Sequence, residues 1–475
     1  MIPVPIWPRF LSLRPTERPV RIGIVGCGLT GAAAAVAVAD RFRRPVDLTL
    51  VDASGRFGYG LAYGEGALAG LTLNVRARDL SLFPDRPDDF VDWLIHRGHG
   101  PRPEISAGFP ERSRFGAYVA DRLADRLKGR RDLSATLLTD TAIAGHPVDD
   151  GIEIAFRRSP ARRFDAVFLA TGWGLPATPR RFGRSPFAPL PEGLKPLDRI
   201  LIVGTGLSMV DTLLTLRAAG HDGPIEAISR CALLPHPHTT DPADPGLVDL
   251  RTVGSLSGLV RAVRRTMATR EKAGGSWQGV ANVARSQVQD VWTSFGVADR
   301  QRFLTHVAPY WENARHRLPM GHYAFLMSEI EGGRLILRSG KVRSVEQVTD
   351  GYRTILEEAP AEGLVHDHVF DCTGHRPAVE SPLIRSLAAQ GLVRLDPLRL
   401  GLDVARSGRA RLRRGIATAP VFALGPLGRG SLYEITGVRE IVEQAFRAVD
   451  AIDKLERRKA RGDQAPAAWD VFAFR

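Results

Sequence analysis

Residues 21–37 read RIGIVGCGLTGAAAAVA, and their reading decides the fold. Arg21–Val25 is a short apolar run rich in β-branched residues, the composition of a buried parallel strand. It leads into Gly26-Cys27-Gly28-Leu29-Thr30-Gly31 and then into an alanine-rich stretch without a breaker. Each glycine answers a separate demand. Gly26 permits a sharp strand-to-helix turn, Gly28 lets backbone approach a pyrophosphate, and Gly31 allows a helix to lie close on its strand. A helix starting there turns unpaired N–H groups and the positive end of its dipole toward phosphates. The next strand, DLTLVD, ends at Asp52, where a carboxylate can accept hydrogen bonds from a ribose diol. Three glycines alone are a weak signal; strand, glycines, alanine helix and closing acid in this order are a strong one.

The pattern returns at residue 199. RILIVGTGLSMVDTL sets Gly204 and Gly206 after an apolar strand, with Ser208 beside them and Met209 in place of the third glycine. The first two glycines carry the phosphate turn, so a helix standing slightly further from its strand tolerates the loss. The following strand, IEAISR, ends at Ser229-Arg230 rather than at an acid. Arg230 suits a 2′-phosphate and favours NADPH over NADH, although a plain surface arginine is an equal reading in an Arg-rich chain. Two cradles suit two dinucleotides held face to face: NAD(P)H gives a hydride and FAD receives it, while protein sets orientation and excludes water.

The order of elements predicts an α/β fold with two Rossmann-like dinucleotide-binding domains and a helical insert. The expected divisions are an arm over 1–19, a first part of the FAD domain over 20–197, an NAD(P)H domain over 198–360, a second FAD part over 361–455 and a tail over 456–475. The insert falls at about 245–330, with Trp292, Phe295, Tyr310 and Trp311 read as its core rather than as ligand contacts. ARRFDAVFLATGWG is a strand ending at Ala170-Thr171-Gly172, preceded by a stretch that alternates and turns as a small β-meander. HDHVFDCTGHRP repeats that ending at Cys372-Thr373-Gly374.

The chain of 475 residues has length for two to four domains, and 44% hydrophobic residues can fill their cores. No apolar run approaches the ~18 residues of a membrane helix. The first twenty residues, MIPVPIWPRFLSLRPTERPV, are cut by proline too often for a signal peptide, so a cytoplasmic protein without membrane association is expected. The net charge of +13 raises nucleic acid as a partner. The basic residues are scattered arginines without an RNA-binding or zinc-finger signature, and no nucleic acid is expected. Cys27, Cys231 and Cys372 form no C-x-x-C, which leaves no local redox dithiol or zinc ribbon. His236 and His238 form an H-x-H without a nearby carboxylate, a poor metal site, and no metal is expected.

Five longer blocks carry a resemblance: GYGLAYGEGALAGLTLNVRARDLSLFPDRPDDFVDWL from Gly58, GTGLSMVDTL from Gly204, APYWENARHRLP, DCTGHRP, and GPLGRGSLYEITGVREIVEQA from Gly425. Together, from about Val20 to Ala451, they resemble the FAD/NAD(P)-binding oxidoreductases distantly related to flavin-containing monooxygenases. The resemblance implies that Gly26, Gly28, Gly31 and Asp52 hold the FAD pyrophosphate and ribose. It also implies that Thr171 and Gly172 mark the return to the FAD sheet, and that Asn74 lies near the flavin. Arg114 and Tyr118 would flank the cofactor, and backbone N–H groups near Gly437 would face the isoalloxazine. Gly425-Pro426 replaces the usual Gly-Asp pair, so the aspartate that commonly binds ribitol is missing.

The implied activity is a single-component monooxygenase acting on a small molecule with O₂ through a flavin C4a-hydroperoxide. The activity associated with the group, FAD-dependent urate hydroxylase, makes urate the first substrate to expect. Arg315, His316 and Arg317 have the chemistry to clamp such an anion, but read more readily as a structural ion-pair cluster. An amine N-hydroxylase of the ornithine monooxygenase type and a non-catalytic dinucleotide-binding redox sensor are the other readings. An ordinary disulfide reductase is excluded by the missing C-x-x-C.

Overall fold

The computed structural model describes residues 18–64, 70–149, 151–173, 181–239, 246–247, 249–357, 363–374, 379–412 and 420–460. The arm expected over 1–19 and the tail over 456–475 fall largely outside them. Fifteen strands run in chain order among the described residues. They are β1 (Val20–Val25), β2 (Val46–Asp52), β3 (Leu133–Thr139), β4 (Ala142–Val148), β5 (Gly151–Phe156), β6 (Arg162–Phe164), β7 (Ala166–Leu169) and β8 (Ile200–Val203). β9 (Ile225–Ser229), β10 (Leu335–Ser339), β11 (Val342–Val348), β12 (Gly351–Leu356), β13 (Leu364–His366), β14 (His368–Asp371) and β15 (Val421–Ala423) follow.

Two parallel sheets form the frame. The first has the order β15-β7-β1-β2-β3 and the second β10-β9-β8-β14. The alanine run becomes the helix Leu29–Arg41, in which every residue from Ala32 to Val38 is fully buried. A helix apolar on all sides must be enclosed on all sides. The first sheet and the helices Arg112–Lys128 and Val438–Ala460 enclose this one.

The two halves repeat one design. Arg21 opens β1 and grips Asp165, just before β7, through its backbone N–H and its guanidinium, both at 2.8 Å. Arg199 opens β8 and grips Asp367, just before β14, in the same way at 2.7 and 2.8 Å. Each half also inserts a three-stranded antiparallel ribbon, β4-β5-β6 or β11-β12-β13, ahead of its T-G strand. The repeat is written in the sequence as RIGIVGCG with DAVFLATG and RILIVGTG with DHVFDCTG.

β14 pairs in parallel with β8, so the chain is still building the second sheet beyond residue 361, the expected point of return to the first domain. The apolar strand there completes the second sheet, and the chain crosses back after Cys372 to supply β15. Between β9 and β10 lie the helices Leu256–Lys272, Trp277–Ser294, Val297–Arg302, Ala308–Arg315 and Met320–Glu331, with a π-helical turn at Phe303–Val307. Trp292 is buried, and Phe295 and Trp311 pack on the insert's own core. Tyr310 departs from expectation at 60% exposed. It stands about 100° round the helix from the inward-facing Trp311. Among the described residues no helix is long and apolar enough to cross a membrane.

Candidate functional site

The first cradle is built by backbone that admits no side chain. Gly26 has φ +90, and a Cβ there would lie 2.6 Å from the Ala170 carbonyl oxygen and 2.9 Å from Thr171 Cα. The A-T-G ending, with Gly172 at φ +58, therefore closes directly over the glycine turn. A Cβ on Gly31 would lie 2.0 Å from the Gly26 carbonyl oxygen, and one on Gly28 would lie 3.1 Å from Gly60 Cα. Asp52 accepts the Cys27 N–H at 2.9 Å and the Ser54 N–H and hydroxyl at 2.9 and 2.6 Å. It thus braces the turn, and a carboxylate with about four lone-pair sites keeps capacity for a ribose. Burial, with Asp52 adding to it, pushes the Cys27 thiol up to about 12, which leaves it inert.

The second cradle copies the first. Gly204 has φ +112, and its Cβ would lie 2.3 Å from the Cys372 carbonyl oxygen, so C-T-G closes this turn as A-T-G closes the other. Ser229 stands where Asp52 does and bonds the Thr205 hydroxyl at 2.9 Å. Gly206 caps the helix Leu207–Ala218 with open space where a Cβ would be, and Ser208 lies in the first turn. Met209 is fully buried against Ile200 and Ile202, filling the gap left by the missing third glycine. The exposed Arg230 side chain pairs with no carboxylate among the described residues. Both turns fit a pyrophosphate: the space is kept free of Cβ atoms and a helix N-terminus points into it.

Side chains join the two halves. Arg112 meets Asp211 of the helix Leu207–Ala218 at 2.7 Å, each side chain 14% exposed. His238 Nε2 donates to the Asn74 carbonyl at 2.9 Å, which puts Asn74 at this junction. His236 packs its ring on Trp277 instead of facing His238. Among the described residues no group of three or more His, Cys, Asp or Glu could hold a metal.

Tyr118 is a correction. It is fully buried among Phe90, Trp93 and Phe115, and its hydroxyl donates to Asp89 at 2.8 Å while accepting the Leu82 N–H at 3.0 Å. Burial, reinforced by Asp89, raises its phenol above the ordinary range. A ring enclosed on all sides cannot flank a cofactor; it anchors the loop before the helix Asp89–His96. Arg114 pairs with Glu111 at 2.9 Å on the surface. The neighbour that reaches the second domain is Arg112, which no local motif distinguished.

The segment after β15 lies against the first cradle. Gly425, at φ +62, donates its N–H to the buried Gln444 at 2.8 Å, and its Cβ would lie 2.9 Å from the Thr30 hydroxyl. Gly437 opens the helix Val438–Ala460 beside Glu440, which pairs with Arg285 of the insert at 2.8 Å. Arg315 is bound to the buried Glu434 at 2.7 Å, and His316 sits 3.0 Å from Glu312. Arg317 donates to the Ala314 carbonyl and Asn282 and lies over Trp277. All three are structural, and no anion clamp remains among them. A groove of about 750 Å³ beside Arg261, Arg264 and Arg302 shares no residue with either cradle.

A model of the FAD-NAD(P)-binding family matches residues 23–174. No curated protein matches the sequence. Among solved structures, the ornithine N-hydroxylase of Kutzneria sp. 744, with reduced FAD, NADP⁺ and L-ornithine, is 16% identical at a TM-score of 0.62, covering 93% of this chain and 100% of that one. The L-lysine 6-monooxygenase of Pseudomonas syringae is 17% identical at 0.61, covering 91% and 99%. The bacillithiol disulfide reductase of Staphylococcus aureus is 12% identical at 0.52, covering 93% and 100%. Identities this low establish the fold alone, and one fold hosts several chemistries. Residues 23–174 thus match the FAD-NAD(P)-binding family model, in a chain whose two parallel sheets share the overall fold of these solved structures.

Proposed function

We propose that the protein is an NADPH-dependent flavin monooxygenase that hydroxylates the nitrogen of a small primary amine. The observation that carries the reading is the pair of matched cradles, each closed by its own T-G turn and joined by Arg112 and Asp211. The net reaction is RNH₂ + O₂ + NADPH + H⁺ → RNHOH + NADP⁺ + H₂O. FAD, once reduced, supplies the activation of O₂. The chain's own part is binding and exclusion of water. The helix N-termini behind Gly28 and Gly206 take the pyrophosphates, and Arg230 takes the 2′-phosphate.

Dithiol chemistry is disfavoured: Cys27 and Cys372 are buried thiols outside any disulfide, and Cys231 is exposed on another loop. Urate has less support than an amine. The cations suited to clamp it are bound to Glu434, Glu312 and backbone, whereas two solved structures of this fold are named as an ornithine N-hydroxylase and an L-lysine 6-monooxygenase.

The test is NADPH and O₂ consumption by purified yellow protein with L-ornithine, L-lysine, short diamines and urate, with hydroxylamine and peroxide measured together. An amine should accelerate NADPH oxidation and yield hydroxylamine with little peroxide. Stimulation by urate with loss of its absorbance would return purine hydroxylation. Bound FAD without stimulated turnover on any compound would leave the redox-sensor reading.

A further inference from the structure

Tyr433 carries a backbone conformation that its side chain does not favour, φ 51 and ψ −70. Such an outlier persists only where surrounding structure over-determines it, and it concentrates at functional sites. Here the surroundings are unusually complete. The ring stacks on Trp292 at 4.7 Å and meets Phe303 edge-on at 5.1 Å. The hydroxyl donates to Glu312 at 2.8 Å, and Arg429 donates to the same carboxylate oxygen at 2.8 Å. Trp292 Nε1 donates to the Gly430 carbonyl at 2.8 Å, Trp311 Nε1 to Glu434 at 2.9 Å, and Arg315 to the Thr436 hydroxyl at 3.2 Å. Although burial opposes it, contact with His316, Arg315 and Arg429 holds the Glu312 carboxyl well below the usual carboxylate range. Burial and Glu312 push the Tyr433 phenol up, so the pair is anion and neutral donor.

The location gives these contacts a direction. β15 runs parallel to β7 and thus to β1, so its carboxyl end opens on the same edge of the sheet as Gly26. Ligands of open α/β sheets bind outside that edge. The chain leaving β15 touches Thr30 of the first cradle at Gly425, makes the turn through Tyr433, and starts the helix at Gly437. Every clamp on the turn named above other than Arg429 comes from the insert, which belongs to the second half of the molecule.

We propose that Tyr433 and Glu312 are positioning residues for the flavin: the insert holds the turn 430–436 in a strained shape that sets Gly437 and its helix N-terminus at the first cradle. The inference rests on FAD occupying that cradle. It makes the insert a structural partner of the flavin as well as a wall of the molecule.

Two variants test it. Tyr433→Phe removes one oxygen and keeps the stacking; Glu312→Gln keeps the shape and removes the charge. Both should fold, Tyr433→Phe with a melting temperature near that of the parent and Glu312→Gln with a lower one because Arg429 and His316 lose their anion. The FAD dissociation constant of each folded variant should rise roughly tenfold, the loss of about one charge-assisted hydrogen bond. The visible circular dichroism of the bound flavin should change with it. Parent-like affinity and dichroism in folded variants would overturn the proposal. So would a lowered melting temperature with unchanged flavin binding in the folded fraction, or failure of both variants to fold, since the turn would then serve folding alone. Neither readout uses O₂, an amine or NADPH turnover, so the proposed reaction and this role fail separately.

Discussion

At Gly28 a Cβ would stand a tight 3.1 Å from Gly60 Cα, and a branched side chain would extend from there into the turn proposed to take the pyrophosphate. Gly28→Val is expected to give folded, colourless protein, checked by the ratio of flavin to protein absorbance after gel filtration. Stoichiometric flavin in that variant would move FAD out of the first cradle. Under the proposed function, Arg230 is the matching residue for the other coenzyme. Arg230→Ala should weaken NADPH relative to NADH by roughly 1–3 kcal/mol, a charge-assisted contact to phosphate, read from kcat/KM with each. An unchanged preference would make it a plain surface arginine. The glycines and Asp52 were legible because each answers a local backbone demand at a fixed spacing. Tyr118 was misread because the family pattern gave its place in the chain but not the direction of its ring, and Phe90, Trp93 and Phe115 bury it.

At the scale of elements, each cradle strand is pinned at its start by an arginine–aspartate grip. The hydrogen bond from Arg199 holds the Asp367 carboxyl down to about 2, against 3.8 for a free side chain. The folded value lies below the unfolded one, so this contribution is present above about pH 4 and is lost as pH falls toward 2. Asp367→Asn should therefore melt at a temperature that falls less steeply than the parent's across that acid range. The effect should be small because the pair is largely exposed to solvent. Equal slopes would show that the grip carries no acid-dependent stability. Both cradle strands and both T-G strands were legible from apolar runs and turn residues. The end of the second sheet was not, because β14 joins β8 across 168 residues between Arg199 and Asp367.

For the whole molecule, the Arg112–Asp211 pair is the direct charge contact that ties the first cradle's domain to the second cradle's helix. Asp211→Asn leaves a mostly buried guanidinium without its anion, a loss of roughly 1–3 kcal/mol. The expected outcome is a lowered denaturant midpoint together with slower flavin reduction by NADPH under anaerobic stopped flow, since the domain of the second cradle, the proposed NADPH site, is held less firmly. A parent-like reduction rate would mean that docking depends on the insert and the His238–Asn74 bond instead.

By itself the sequence determined the two glycine turns, the buried alanine helix, the missing C-x-x-C and hence an α/β fold with two glycine cradles. All of these follow from composition and spacing within a few tens of residues, where chain geometry leaves little choice. Only the tertiary structure decided that Tyr118 is core, which carboxylates and carbonyls hold Arg315, His316 and Arg317, and that Glu312 reaches across to a strained Tyr433. That last contact joins residues 121 positions apart. No periodicity or motif encodes such a pairing, because it exists only once two sheets and an insert have packed and the buried charges have found partners.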